Sequence, residues 1–184
     1  MQSTTHMNLS LPWYDPAWQY RKRITVDCAM VAGTGHADFP VLVSAVHPDL
    51  RTTAHGGHVA QPNGEDLQFV DVHGQPLDCE IQRYDPATGR LRAWVRMPAL
   101  PHDRDSFFYL YYGNRRARRS DPGRVWDGAY RLVLHVDRTA AQQQDSSAQQ
   151  NDGQLQYDPL AQTAVVPCLC KGGDYCQRPS RSQW

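Results

Sequence analysis

Residues Leu77–Pro98 read LDCEIQRYDPATGRLRAWVRMP, two alternating runs joined by a turn. In the second run Leu91, Ala93, Val95 and Met97 fall on one face and Arg92, Trp94 and Arg96 on the other. That is the two-residue period of a half-buried strand. In the first run Leu77, Cys79 and Ile81 share one face, and Asp78, Glu80 and Gln82 the other. Between them, Asp85-Pro86-Ala87-Thr88-Gly89 supplies residues that favour turns. The segment predicts an antiparallel hairpin with one apolar face.

The same grammar extends both ways. Upstream, Leu67–Val72 predicts a strand closed at His73-Gly74, and TAHGGHVAQPNG (53–64) a loop. His47-Pro48-Asp49-Leu50 predicts one short helical turn with Pro48 at its start. Phe39–Val46 (FPVLVSAV) is apolar on both faces for most of its length. In Tyr20–Val26, Tyr20, Ile24 and Val26 oppose Arg21, Arg23 and Thr25, with Lys22 spoiling the apolar face. Such a lysine is expected to snorkel at a sheet edge. Downstream, Ser106–Tyr112 (SFFYLYY) is aromatic on both faces and predicts a central strand covered on both sides. RRARRSDPGR (115–124) reads as a linker, and Val125–Val136 as one more strand with Leu132, Leu134 and Val136 inward.

Six or seven short strands separated by turn signals predict an all-β fold, an antiparallel β-sandwich of jelly-roll type. Strands and helices do not alternate, which excludes doubly wound and TIM-barrel architectures. The expected core is Ile24, Val26, Phe39, Val41, Val43, Phe69, Leu77, Ile81, Leu91, Val95, Phe107, Tyr109, Leu110 and Tyr111. The organisation expected is a disordered leader (1–12), a sandwich domain (13–124), the partial opening of a second domain (125–156) and a divergent, disordered tail (157–184).

The chain has 184 residues, one domain or one domain plus part of another. Lys+Arg and Asp+Glu are both 19, a balance that argues against coating nucleic acid or anionic lipid. The acids are almost all Asp and the bases almost all Arg; with 13 Gly and 13 Pro this suits turns between strands better than helical surfaces. No apolar run approaches the ~20 residues that span a bilayer as a helix. Five cysteines cannot all pair within one chain. Cys28 and Cys79 are expected as buried thiols or a bridge. Cys168, Cys170 and Cys176 have no standard zinc spacing.

Several blocks occur in a recognisable order: WQYRKRITV (18–26), DFPVLV (38–43), GGHVA (56–60), the Leu77–Pro98 segment, YLYYGN (109–114) and VWD (125–127). Together they resemble the bacterial and archaeal domain-of-unknown-function family numbered 2341, over residues 13 to about 127. In that family the last block leads into a concanavalin A-like, laminin-G-like jelly roll. Leu134–Arg138 and the DS…NDG pattern of Asp145–Gly153 resemble its opening, after which the likeness fades. A truncated or frameshifted frame would produce such an end. The resemblance implies a secreted or envelope setting, with company that includes neighbouring sandwich modules and biopolymer-transport (proton-channel) proteins. It implies no established chemistry.

No nucleophile-elbow, P-loop, zincin or dinucleotide fingerprint is present. The candidate ligand-binding residues are Trp94, Arg92, Arg96, Glu80 and His58. An aromatic flanked by hydrogen-bonding side chains is how sandwich modules hold sugar rings, by apolar stacking plus polar contacts. Trp13, Trp18 and Trp126 are further aromatics of this kind, though a Trp more often packs in a core or joint. Asp78 and Glu80 lie two apart, about 6–7 Å on one strand face, a separation compatible with a glycosidase pair. The plainer reading pairs Glu80 with Arg92 or Arg96. His55 and His58 (HGGH) would need a third ligand, such as Asp66 or His73, to hold a metal. Asp66, Asp71, Asp85, Asp103 and Asp105 leave calcium possible without a motif, so no cofactor is expected.

The leading expectation is a non-catalytic binding or adhesion module, carbohydrate-facing, and not an enzyme. The alternatives are a glycan-processing enzyme using Glu80 with a second carboxylate, and a structural spacer. MQSTTHMNLSLPW has neither a basic start nor an apolar stretch, so it is no signal peptide as it stands. The expected location is nonetheless extracellular or envelope, on the family resemblance, with the leader encoded upstream.

Overall fold

The computed structural model describes residues 13–118, 124–136 and 142–154, together with the backbone of 169–171. The expected leader lies outside the described residues, as does most of the expected tail. The chain divides into two compact units, residues 1–121 and 122–184.

The first unit carries β1 (Tyr20–Val26), β2 (His36–Val46), β3 (Gln68–Val70), β4 (Cys79–Asp85), β5 (Arg90–Leu100) and β6 (Ser106–Tyr112). They form two antiparallel three-stranded sheets, ordered β1-β6-β3 and β2-β5-β4. Three short 3₁₀ turns, Cys28–Met30, Pro48–Leu50 and Thr53–His55, are the helical elements of this unit among the described residues. One core lies between the sheets. Phe69, Phe108, Leu110 and Tyr112 line it from one side and Val43, Leu91, Ala93, Val95 and Met97 from the other, with Leu50, Val59 and Leu67 contributed by loops. The all-β antiparallel sandwich is therefore the fold, and the predicted hairpin is its β4–β5 pair.

The expected core needs one correction. Phe107 and Tyr109 are not core residues; Phe108 and Tyr112 are. SFFYLYY cannot reveal its own phase, and β1 sets it. Ile24 lies opposite Phe108 and Tyr20 opposite Tyr112, while Arg23 and Arg21 lie opposite Tyr109 and Tyr111. The outer face of β6 is covered in two ways: Tyr111 is buried beneath Trp13 and Tyr14, outside the inter-sheet core, while Tyr109 and Phe107 lie under arginines. The Arg21 guanidinium sits 4.8 Å from the Tyr109 ring centre and 5.0 Å from that of Trp13, and Arg23 lies 4.0 Å from Phe107. β2, apolar on both faces in sequence, leaves Leu42 and Val46 44% and 63% exposed. It is an edge strand, paired only with β5. Of the two alternatives for Cys28 and Cys79, the free thiols hold: Cys79 is buried and Cys28 partly so. Lys22 behaves as expected for an edge and reaches Asp49 at 2.7 Å.

The second unit carries β7 (Tyr130–Val133), β8 (Gln142–Gln143), β9 (Gly153–Gln154) and β10 (Leu169–Lys171), paired antiparallel as β7–β10 and β8–β9. β10 lies within the stretch read as a divergent tail. The inward residues of β7 are Tyr130 and Val133, whereas Leu132 is only partly buried. The buried positions of this strand follow no single phase: Tyr130 shares the expected one, Val133 does not, and Leu132, Leu134 and Val136 are only partly buried.

Candidate ligand-binding face

The outer face of the β2-β5-β4 sheet gathers most of the candidate residues. β5 is its central strand, so its outward residues from Arg90 to Trp94 have neighbours on both sides. Trp94 lies between Leu42 of β2 and Glu80 of β4; Arg92 lies between Ser44 and Arg83; Arg90 lies between Val46 and Asp85; Arg96 lies opposite Pro40. The Trp94 indole N–H donates to Gln82 Oε1 at 3.2 Å, which fixes the ring on the sheet while leaving part of it open. Arg96 Nε lies 3.3 Å from the Asp38 carboxylate, at the β2 edge. Glu80, Arg92, Trp94 and Arg96 thus share one surface, as the alternation requires.

Arg83 joins them by a break in register. Strict alternation from Ile81 would point it toward the core. The β4–β5 ladder instead shifts between Ile81 and Arg83, so that Ile81 opposes Ala93 and Arg83 opposes Arg92. The extra residue is a β-bulge, a device that re-aims a side chain. It returns Tyr84 to the inner side, where its hydroxyl donates to Leu50 O at 2.7 Å. Burial, then the nearby Asp66 and Asp85 charges, push the Tyr84 phenol well above its ordinary value. Beside the bulge, Ser44, Ala45, Val46, Arg83, Arg90 and Arg92 line a half-open recess of about 230 Å³. Sequence reasoning missed Arg83, Arg90 and Ser44. The signal was present, because the apolar spacing jumps from two to three between Ile81 and Tyr84.

A larger cleft of about 560 Å³ opens between β1 and β2. Its walls are mostly aliphatic, including Ile24, Val26, Val41 and Leu110. Its lysine, Lys22, is already tied to Asp49.

His58 lies apart from the Trp94 face. It stacks on Tyr20 of β1 at 4.3 Å, and its Nδ1 faces Asp49 Oδ1 at 3.8 Å. His55 turns instead to Thr52 Oγ1 at 2.7 Å, so the two histidines of HGGH serve different neighbours. Asp49 is the hub of this edge, with Lys22, His47 and His58 around it. The Lys22 hydrogen bond chiefly holds its carboxyl below the usual range. Burial, aided by Asp49, pushes the Tyr112 phenol up to about 12.

The remaining acids mostly tie down backbone. Asp66 is fully buried; its oxygens accept from Ala60 N at 2.7 Å, Gln61 N at 3.1 Å and Gly113 N at 2.8 Å. Asp71 caps the turn through His73 and Gln75, and Asp85 caps the hairpin turn through Ala87 and Thr88. Asp27, Cys28 and Asp105 bring ligand-type atoms within 4.8 Å of one another. Asp27 already accepts from Ala29 N, and Asp105 from Cys28 N. The other tryptophans are also engaged. Trp126 is buried against Tyr130 and His135. Trp18 donates to Asp66 O, and Trp13 stands edge-on to Tyr111 beneath Arg21.

In the second unit Asp145 organises the DS…NDG stretch. It accepts from Val133 N, Ser147 N, Ser147 Oγ and Asn151 N at 2.7–2.9 Å, while its own N–H donates to Asp152. Burial alone would raise its pKa; these hydrogen bonds outweigh that and hold it below the usual range.

No curated protein and no solved structure matches the chain. Residues 63–151 match the model of a family described as Domain of unknown function (DUF2341). The match starts later than the blocks read from the sequence and runs further. It takes in β3 to β6, where the Trp94 face lies, and the segment through β7 and β8 to Asn151. Over that stretch the chain is similar to the family its motifs had suggested.

Proposed function

We propose that the protein is a non-catalytic binding or adhesion module of a secreted or cell-envelope protein, and that its sandwich faces carbohydrate. The observation that carries this reading is the outer face of β5, where a partly open indole sits between two guanidinium groups on a rigid central strand. Sites on strands hold side chains more firmly than sites on loops, and a stacking platform with flanking donors suits pyranose rings. The family likeness supports an envelope setting, in which neighbouring sandwich domains and biopolymer-transport proteins are the partners. In the same reading the second unit is the opening of a concanavalin A-like sandwich. The Asp145 network in its DS…NDG stretch supports that assignment.

The competing reading is a glycan-processing enzyme with Glu80 as one carboxylate. It needs a second carboxylate aimed at the same substrate. The partner offered by the sequence is Asp78, two residues before Glu80; Asp85, further along β4, accepts from Ala87 and Thr88 in the hairpin. A glycan array with the purified chain tests the leading reading, and release of reducing sugar by wild type but not by Glu80→Gln would favour the enzyme. Retention without turnover is the expected result. Absence of any retained glycan would leave a spacer.

A further inference from the structure

The recess beside Trp94 concentrates positive charge in a chain whose net charge is zero. Arg83 and Arg92 stand directly opposite each other on β4 and β5, with Arg90 next along β5. Like charges opposed across a ladder are destabilising, and a sheet normally relieves them with a carboxylate. Here neither Arg83 nor Arg92 forms an ion pair or side-chain hydrogen bond among the described residues. Of the acids on this face, Asp85 lies opposite Arg90 and caps its own turn, and Glu80 lies opposite Trp94. The arrangement is not a by-product of regular pairing, since it takes the bulge at Ile81–Arg83 to bring Arg83 to this face.

Resting on the carbohydrate-facing reading, we propose that Arg83, Arg90 and Arg92, with Ser44 beside them, form the seat for the anionic group of an acidic saccharide whose ring lies on Trp94. Guanidinium groups bind carboxylate and sulfate through forked, charge-assisted hydrogen bonds. A recess of about 230 Å³ is smaller than the ~300 Å³ at which small-molecule pockets begin, and takes one charged substituent with its ring outside. Trp94 is two residues from Arg92 on the same face, about 7 Å along the strand, so a ring on the indole places its substituent at the arginines. The charge on the ligand supplies what the fold lacks, and the neutral net charge keeps the recognition local.

The test is calorimetric titration of the full chain with a sulfated oligosaccharide, an oligouronate and a neutral β-glucan oligosaccharide, with phosphatidylserine vesicles and a single-stranded oligonucleotide alongside. At least one acidic saccharide is expected to bind on the order of tenfold more tightly than the neutral one or better. Which one binds identifies sulfate or carboxylate. Arg83→Gln and Arg92→Gln should each weaken that binding by about tenfold, with unchanged or raised melting temperatures because a repulsion is removed. The double variant Arg115→Gln/Arg116→Gln, elsewhere on the surface, should have no effect. Equal binding of acidic and neutral saccharides, indifferent to Arg83→Gln and Arg92→Gln, would overturn the anionic seat and leave the carbohydrate reading standing. Binding of no saccharide would overturn both. Vesicles or oligonucleotide captured through the same arginines in place of saccharide would overturn the assignment to a glycan.

Discussion

A carboxylate shut away from water is tolerable only when its lone pairs are filled, and Asp66 fills them from three backbone amides on two loops. Asp66→Ala leaves three donors unmatched at once, and should lower unfolding free energy by roughly 3 kcal/mol or more; urea denaturation measures this. In the sequence Asp66 looked like one of several turn aspartates or a metal ligand, because nothing local tells a loop acid from a buried hub. Its amide donors include one 47 residues away. Asp145 makes the same point with a pH readout. Its folded-state pKa is depressed below the unfolded value of about 3.9, so its contribution is complete above that value and is lost as pH falls through and below it. The Ser147 and Asn151 amide resonances should therefore move together below about pH 4, and Asp145→Asn should abolish that step.

At the level of elements, the strands with one apolar face were legible and those with two were not. β5 announces its phase in four alternating apolar residues, and the structure places all four inside. β6 carries aromatics on both faces, so only its partner β1, with arginines on one side, decides which set meets the inter-sheet core. The bulge in β4 was hidden for a different reason. A search for alternation treats a skipped beat as the strand's end, and so Arg83 was left out of the site. The hairpin that joins β4 to β5 depends on Gly89, whose φ of 69° is costly for other residues. A Cβ there would also collide with the His47 carbonyl. Gly89→Ala should therefore destabilise by on the order of 2–3 kcal/mol. The Arg83–Arg92 juxtaposition should loosen with it, and the melting curve together with the β4 amide shifts reports both.

For the whole molecule, the hydrophobic core that supports the Trp94 face is drawn entirely from the first unit. A chain ending at Asp121 should accordingly unfold in one cooperative transition, with a denaturant midpoint close to that of the full chain's first-unit signals. The fold class was readable because strand period and turn chemistry are local properties. The membership of the proposed binding face was not, because it is made of residues brought together from β2, β4 and β5 by register. The account stands on that face contacting carbohydrate, and a glycan array probed with wild type and Trp94→Ala, each shown to be folded by its melting transition, tests it most directly. Retention of saccharides by wild type, with a drop of about tenfold or more for Trp94→Ala, is the predicted result. Saccharide retention that is the same in both proteins, or absent from both, would contradict it.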